Sequence, residues 1–509
     1  MSINSSEIKF SPLRAFFWPV TGREIKKVLP LALIMFFVLF NYTILRDVKD
    51  ALLLTAHGCG SESFSFLKTW GTLPFVILLM GFYGKLATLL SKPALFRTTV
   101  CFFSGFFLIL GYLVLPNTHL LHASPEWIDA MAIAYPNIRY ITALIGNWSF
   151  ALFYIFAELW GTIGLSVIFW QLANEITKVG EAKRIYPLFG LVANFGVVLS
   201  GQLLVFLTKI HSHIPSDSER WGKILNWIIL CLLVAFCTIL YLHNWIQNNV
   251  LTDKELYNPE EIGSKKRSKV KLTFSESIKI VFRSRYLGFI ALLLLGYGMT
   301  INFVEVTFKS QVKVLFANKA ADITNFYGWY STITGVAAVF LMIIGANMTR
   351  KFSWKACALV TPLVTLVTGS AFFLLILFRE EASILLGAFD ISPVALAVFI
   401  GAGLVIITKG AKYSIFDPTK EMAYIPLDDQ IKTQGKAAVD GVGGRLGKSG
   451  GGIVQQMFFI ISPVATQMTI APYLGIILVI VSLLWVYSVL GLSKLYEQKK
   501  QEMQESFNR

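Results

Sequence analysis

About twelve long apolar stretches run along this chain, and they constrain its fold more than any other feature. A helix needs roughly 20 apolar residues to cross a bilayer, and lipid offers no partner to an unpaired backbone group. The stretches lie near residues 29–46, 65–90, 96–115, 140–171, 186–208, 222–245, 286–308, 324–347, 356–378, 391–411, 438–464 and 470–492. The sequence therefore predicts an all-α membrane protein with about twelve transmembrane helices.

The composition argues against a soluble enzyme of this length. Hydrophobic residues make up 55% of the 509 residues and charged residues 15%, whereas soluble proteins carry about 25% charged residues. No small-residue cleavage site follows the first apolar stretch, so we expect it to be retained as the first helix. The 5 cysteines are scattered, mostly in apolar stretches, which favours neither disulfides nor a metal site. We expect no enzymatic activity and no cofactor.

The net charge of +15 is explained by membrane topology. Basic residues collect in every second loop, and cytoplasmic loops of membrane proteins are enriched in Lys and Arg. The pattern predicts that both termini are cytoplasmic, and it indicates contact with membrane lipid but not with nucleic acid. The basic segments lie at the N-terminus and near residues 85–97, 172–185, 248–285, 350–355, 412–436 and 494–500.

The longest basic loop, 248–285, divides the chain into an N-terminal half, 1–247, and a C-terminal half, 286–509, with a cytoplasmic tail. Weak internal similarity supports this division, since Gly81 and Gly345 each end an apolar stretch before a basic turn. Two six-helix halves around a central site are a recurrent plan among transporters. A helical bundle without a transport role, such as a receptor, is the alternative.

Two carboxylates lie inside apolar stretches, where an unpaired charge costs several kcal/mol. Glu158 is the only charged residue in 141–171, and Glu305 is the only one in 286–308. We interpret both as lining a central cavity, together with the nearby Asn302. The alternatives are a structural ion pair for each and, for Glu305, a side chain that reaches the membrane surface from a span end.

Four charged residues close the first predicted span. Arg46 and Lys49 are three residues apart and share a helix face. Such a cationic pair is able to bind phosphate groups, and the neighbouring Asp47 and Asp50 are able to orient the two cations. The competing interpretation is that these four charges end the helix at the membrane surface and pair with one another.

The segment 440–452 is rich in glycine and contains two cations, Arg445 and Lys448. It nearly matches the phosphate-binding loop of nucleotide hydrolases, but Val442 stands where that motif needs its first glycine. No strand precedes it, so we reject a hydrolase. Glycines would let backbone N–H groups approach phosphate while Lys448 supplies charge. Glycine at every fourth position also favours close helix packing.

A segment of mixed charge, 409–436, lies between the tenth and eleventh predicted spans. It contains Pro418 and Pro426, which interrupt helices. We expect a cytoplasmic turn, with a gate as the alternative.

With these motifs in place, the sequence resembles the ATP/ADP translocase family of obligate intracellular bacteria and plastids. The matching stretches are 41–50, 157–160, 181–190, 412–418, 420–426 and 446–451. The resemblance implies a fold like that of the major facilitator superfamily, a bacterial inner membrane location and a monomer. It also implies exchange of ATP for ADP by alternating access, without hydrolysis.

The family's functional charges fall on Lys49, Glu158, Glu305 and Lys448. We expect the lysines, helped by Arg46 and Arg445, to bind phosphates, and Glu158 and Glu305 to orient these cations or to bind the ribose or base. The aromatic residue that stacks on the base stays open, with Tyr154 and Phe303 as candidates. Family members often carry Asn-Pro where this chain has Gly444-Arg445, so import of several nucleoside triphosphates, proton-coupled or not, is the first alternative. A nucleotide-binding receptor that transports nothing is the second.

Overall fold

The computed structural model describes residues 20–253, 256–257, 274–387, 389–427 and 429–508, and all regular secondary structure within these ranges is helical. This confirms the predicted all-α membrane class. The long helices are α1 (Ile25–Thr55), α2 (Ser61–Leu89), α3 (Lys92–Leu121), α4 (Trp148–Ile176), α5 (Val179–Ile210), α6 (Asp217–Asn249), α7 (Arg285–Leu315), α8 (Ala320–Lys351), α9 (Trp354–Leu377), α10 (Pro393–Ala423), α11 (Asp429–Ile461) and α12 (Gln467–Asn508).

Serine side chains fix the starts of four of these helices. Each accepts a hydrogen bond from the backbone N–H three residues further on. That N–H group lies in the first turn of the helix and has no carbonyl partner within it. The capping serines are Ser216, Ser284, Ser353 and Ser392, at the starts of α6, α7, α9 and α10.

Eleven helices in the described part of the chain are long and apolar enough to cross a membrane. The remaining long helix, α11, corresponds to the predicted span 438–464. Its apolar part is the shorter segment Ser449–Ile461, because its first half is rich in glycine and polar residues. Short helices occupy loops between the long ones, at Pro125–Ala134, Arg139–Gly146, Phe274–Arg283 and Arg379–Gly387.

Helices α1 and α7 are the most enclosed of the bundle, since 67% of the apolar window of each is buried. Helix α1 continues to Thr55, so the motif Arg46–Asp50 lies inside the helix and does not close the span as expected from the sequence. Helix α7 continues to Leu315, so Glu305 is also well inside its helix and not near an end. Both helices extend through charged residues because partners on neighbouring helices compensate those charges.

The segment 409–436 is more helical than predicted. Helix α10 continues through a π-helical stretch, Lys412–Phe416, into Asp417–Ala423. Pro418 does not interrupt it, because a proline in the first turn of a helical segment removes no needed hydrogen bond. The expected turn is therefore shorter and begins only at Tyr424.

Close glycine contacts join α5 to α8. A Cβ atom on Gly328 would lie 2.8 Å from the carbonyl oxygen of Gly201. A Cβ atom on Gly335 would lie 2.8 Å from Cγ2 of Val198. Small residues permit such close approach of helix backbones in membranes, so α1–α6 and α7–α12 meet along this seam.

Polar contacts between α1–α6 and α7–α12 are found at the end of the bundle where α1 ends. Gln456 Nε2 of α11 donates to the Ser65 carbonyl at 2.8 Å and to Thr69 Oγ1 at 2.9 Å. Lys313 Nζ of α7 donates to the Cys59 carbonyl at 2.8 Å. We refer to the region of these contacts as the closed end. The charged residues of α1, Arg46–Asp50, precede the end of that helix and so lie further inside the bundle than these contacts.

Candidate functional site

Helix α1 carries a buried lysine between two carboxylates. Lys49 Nζ lies 2.8 Å from Asp50 Oδ1 and 3.1 Å from Glu158 Oε1 of α4. Lys49 is 1% exposed and Asp50 3% exposed. A buried cation is tolerated when carboxylates and hydrogen bonds replace its lost hydration. This pairing explains how Lys49 and Glu158 are accommodated inside the membrane-spanning bundle.

The pairing continues from α1 into α7 and α10. Lys309 Nζ of α7 lies 2.8 Å from Asp50 Oδ2 and 3.4 Å from Glu305 Oε1. Lys409 Nζ of α10 lies 3.3 Å from the same Glu305 oxygen. Acidic and basic groups therefore alternate along a line that crosses from α4 to α10, in the order Glu158, Lys49, Asp50, Lys309, Glu305, Lys409.

A second set of polar contacts crosses from α1 to α8. Arg46 Nε lies 2.9 Å from Asp47 Oδ1, and Arg46 Nη2 donates to Ser331 Oγ at 2.8 Å. The Ser331 hydroxyl in turn donates to Asp47 Oδ2. The three side chains form a closed hydrogen-bonded triangle, so α1 is tied to α8 as well as to α7.

A third contribution comes from α2. Lys68 lies in the π-helical stretch Leu67–Thr72, four residues after Phe64, whose ring centroid lies 4.9 Å from Lys309 Nζ. We use the name central charge cluster for the cations and carboxylates of this region. Its members are Arg46, Asp47, Lys49, Asp50, Lys68, Glu158, Glu305, Lys309 and Lys409.

Aromatic rings enclose the central charge cluster. Lys49 Nζ lies 3.8 Å from the ring centroid of Tyr154, and Lys309 Nζ lies 4.9 Å from that of Phe64. Such cation–π contacts favour an ammonium group that has lost its water. A cavity opens between α1, α7, α8 and α10, and it is lined by Arg46, Asp47, Asp50, Glu305, Phe308, Lys309, Tyr327, Tyr330 and Lys409.

The structure brings together six of the residues singled out from the sequence, which are Arg46, Asp47, Lys49, Asp50, Glu158 and Glu305. Asn302 lies outside this group, since its Oδ1 accepts a hydrogen bond from Gln455 Nε2 of α11 at 2.8 Å. Both aromatic candidates are fully buried, and of the two only Tyr154 has a contact with a cation of this group, Lys49, in the described part of the chain.

The glycine-rich segment 440–452 belongs to helix α11 and is not a loop. Backbone N–H groups inside a helix are already bonded to carbonyls one turn earlier, so the expected approach of free N–H groups to phosphate is wrong for this segment. The packing alternative fits, because a Cβ atom on Gly447 would lie 2.8 Å from the Leu294 carbonyl oxygen of α7. The side chains of Arg445 and Lys448 lie outside the described part of the chain.

Sequence reasoning missed Lys68, Lys309 and Lys409. Lys309 had a usable signal, since it follows Glu305 by four residues and so shares its helix face. Lys68 and Lys409 had a weaker signal, since each is a cation inside a predicted span, 65–90 or 391–411, but lies within three residues of its end. Lys68 lies in a π-helical stretch, and Lys409 precedes another, Lys412–Phe416. Such stretches re-aim side chains and are frequent at functional sites.

The arrangement places five cations and four carboxylates between two groups of helices. Phosphate is able to replace a carboxylate as the partner of a lysine or arginine, and charge-assisted hydrogen bonds to phosphate are strong in a site of low polarity. The same ion pairs tie α1 to α7, so binding and the relative position of the two groups are linked.

Solved transporters share this architecture. The fold resembles that of a bacterial homologue of the iron transporter ferroportin, with a TM-score of 0.57 and 14% identity over 93% of this chain and 100% of that one. It also resembles the nucleoside transporter NupG, with a TM-score of 0.54 and 12% identity over 91% of this chain and 99% of that one. The fold of this protein is therefore that of these membrane transporters.

The sequence places the chain within that class. Residues 3–496 match the family of TLC ATP/ADP transporters, and the chain belongs to this family. It is 42% identical over 498 residues to ADP,ATP carrier protein 1 of Rickettsia prowazekii, covering 98% of each chain. It is 43% identical over 495 residues to ADP,ATP carrier protein 1 of Chlamydia pneumoniae, covering 97% of this chain and 95% of that one.

Proposed function

We propose that this protein exchanges ATP for ADP across a membrane, importing ATP from a host and exporting ADP. The observation that carries the proposal is the central charge cluster, in which Arg46, Lys49, Lys309 and Lys409 pair with carboxylates between two groups of helices. Family relatives at 42% identity are named ADP,ATP carriers, which supports a nucleotide as the anion that this cluster binds.

Binding works by exchange of partners. Phosphate oxygens of the nucleotide replace Asp50 and Glu305 as acceptors for Lys49, Lys309 and Lys409. Because Asp50 and Lys309 lie on different groups of helices, this replacement also releases a tie between the groups. The loaded protein then reorients, whereas the empty protein is held by its own ion pairs. This difference is the physical basis of exchange, since a ligand shifts a conformational equilibrium only through differential interactions.

Each residue predicted from the sequence has a place in this proposal. Lys49, Arg46, Lys448 and Arg445 supply positive charge to the phosphates, and Glu158 and Glu305 hold the cations in position. Asn302 acts through α11, because its hydrogen bond to Gln455 helps to set the distance between α7 and the helix that carries Lys448.

The wider organisation follows from the same proposal. Residues 1–247 and 286–509 act as two moving halves joined by the basic linker 248–285. Both termini lie in the cytoplasm of a bacterium, the protein is in its inner membrane, and the closed end faces outward. The site lies within a single chain, so a monomer in contact with lipid is sufficient. Nucleotides cross unchanged, because 440–452 is helical and offers no phosphate-binding loop of the hydrolase type.

The experiment that tests the cargo is a competition assay in proteoliposomes. Uptake of labelled ATP is measured against an excess of unlabelled ATP, ADP, AMP, adenosine, CTP, GTP and UTP. We expect ATP and ADP to compete strongly and adenosine to compete weakly, because the cluster binds phosphates. Equal competition by all nucleoside triphosphates would instead support a broad importer.

A matched pair of lysine variants tests the site. Lys49→Gln removes a buried member of the central charge cluster, whereas Lys223→Gln removes a half-exposed lysine that pairs with Glu219 on the same helix face. We expect Lys49→Gln to abolish most uptake and Lys223→Gln to leave it unchanged. Uptake by Lys49→Gln at the wild-type rate would exclude the proposed phosphate site.

A further inference from the structure

Lys68 differs from the other cations of the central charge cluster. Arg46, Lys49, Lys309 and Lys409 each form an ion pair with a carboxylate. No hydrogen bond or ion pair to the Lys68 ammonium group is found within the described part of the chain, although Phe64, four residues earlier on the same helix, lies against Lys309. Five cations thus face four carboxylates in the described cluster, and Lys68 is the cation that remains unpaired.

The position of Lys68 is also specific. It lies in the π-helical stretch Leu67–Thr72 of α2, next to Thr69 and Trp70. Thr69 Oγ1 accepts a hydrogen bond from Gln456 Nε2 at 2.9 Å, and Trp70 Nε1 donates to Gln456 Oε1 at 2.9 Å. These bonds belong to the closed end. Lys68 therefore stands between the central charge cluster and the contacts that seal the bundle.

An unpaired lysine among apolar helices is costly to stability, because its charge loses hydration without gaining a fixed partner. A purely structural role does not account for a lysine without a bond. A ligand anion does account for it, since the ammonium group then acquires a partner only when the anion is present. The π-helical stretch is consistent with this role, because such stretches are frequent at functional sites.

We infer that Lys68 is a further phosphate-binding residue of the nucleotide site, and that it makes contact without displacing a carboxylate. This inference rests on the proposed nucleotide transport and deepens it. At Lys49, Lys309 and Lys409, a phosphate must replace an existing partner. At Lys68 the phosphate replaces no partner, so this contact adds binding free energy without the loss of an internal ion pair. It also brings the phosphates close to the closed end.

The test compares Lys68→Gln with Lys68→Arg and with Lys209→Gln, which removes an exposed lysine at the end of α5. Two quantities are measured on purified protein: the unfolding temperature without ligand and its rise on addition of ATP, tripolyphosphate or adenosine. The KM for ATP exchange is measured in proteoliposomes. Lys68→Arg keeps the charge and serves as the conservative variant.

We expect Lys68→Gln to unfold at the wild-type temperature or higher without ligand, because it removes an unpaired charge. Its KM for ATP should rise by about tenfold or more, as for loss of one charge-assisted hydrogen bond. Stabilisation by ATP and by tripolyphosphate should fall together, while any effect of adenosine stays unchanged. Lys68→Arg should retain most of the affinity, and Lys209→Gln should behave as wild type.

Two results would overturn the inference. The first is a wild-type KM and wild-type stabilisation by tripolyphosphate in Lys68→Gln. The second is a lower unfolding temperature or loss of folded protein without ligand, which would assign Lys68 a structural role. Failure of the proposed function is distinguishable, because wild-type protein would then bind ATP without exchanging it, and the stabilisation by tripolyphosphate would still decide the role of Lys68.

Discussion

Asp50 of α1 and Lys309 of α7 lie 2.8 Å apart, Oδ2 to Nζ, and are 3% and 5% exposed. This ion pair joins the two groups of helices at the level of the central cavity. Asp50 also binds Lys49, and Lys309 also approaches Glu305. The pair therefore connects carboxylates and cations from α1, α4, α7 and α10, and a change in one partner alters the charge balance of all of them.

The first prediction concerns the stability of this pair. Asp50→Asn or Lys309→Gln alone leaves a buried charge with fewer partners, and breaking a buried pair typically costs about 3–5 kcal/mol. The double variant should lose less than the sum of the single variants, because it removes both charges. Thermal unfolding of the purified, nucleotide-free protein measures these effects.

The half-exposed pair Glu219–Lys223 on α6 is the control for this cycle. Exposed pairs contribute little to stability, so Glu219→Gln and Lys223→Gln should have small, additive effects. Additive losses in the Asp50 and Lys309 variants would contradict a direct interaction between the two side chains.

The second prediction concerns Glu305, which lies 3.4 Å from Lys309 and 3.3 Å from Lys409. Glu305→Gln removes a carboxylate that competes with phosphate for both lysines. ATP should therefore bind more tightly while exchange becomes slower, since release of the nucleotide needs the carboxylate to return. Equilibrium binding and exchange rates measure the two effects separately. Exposed Glu126→Gln is the control, and weaker ATP binding by Glu305→Gln would refute the competition.

The third prediction concerns the glycines of α11. A Cβ atom on Gly447 would lie 2.8 Å from the Leu294 carbonyl oxygen, whereas one on Gly450 would meet nothing nearer than 3.9 Å. Gly447→Ala should therefore destabilise the protein by about 1–3 kcal/mol through overpacking. Gly450→Ala should be neutral or stabilising, since alanine favours helix. Equal unfolding temperatures for the two variants would contradict close packing of α11 on α7.

The fourth prediction concerns pH and the start of α1. Burial alone would raise the pKa of Glu24, but hydrogen bonds from Arg184 and Thr21 lower this pKa from near 4.5 to about 2. A lowered folded-state pKa stabilises the protein above pH 4.5, and this contribution is lost as pH falls toward 2. Glu24→Gln should therefore unfold at a lower temperature than wild type at pH 7, with the difference shrinking between pH 4.5 and 2.

Exposed Glu505→Gln near the end of α12 provides the comparison for this pH series. Its unfolding temperature should follow that of wild type at every pH. A difference between Glu24→Gln and wild type that persisted at pH 2 would show that the ionised carboxylate of Glu24 is not the stabilising group.

The membrane class and six of the nine members of the central charge cluster were predictable because their signals are local. Long apolar stretches identify spans, and a single carboxylate inside such a stretch, as at Glu158 and Glu305, is too costly to be incidental. Lys309 shares a helix face with Glu305, but it follows the predicted end of its span, 308, by one residue. Lysines at span ends commonly reach toward water, so this position masked the signal.

The partners of each charge were not predictable, since they depend on how helices distant in the chain pack together. Asp50 and Lys309 are brought together only by the contact of α1 with α7. The helical state of 440–452 was likewise obscured, because glycine suits a phosphate-binding loop and a close helix contact equally well. Packing of Gly447 against α7 decides between the two.

The measurement that tests the central claim most directly is uptake of labelled ATP into proteoliposomes with and without internal ADP. The ion pairs across the central cavity hold the empty protein, so we predict rapid uptake into vesicles loaded with ADP and almost none into empty vesicles. Uptake should not depend on an imposed pH gradient. Equal uptake into empty vesicles, or uptake that requires a pH gradient, would contradict ATP/ADP exchange by this site.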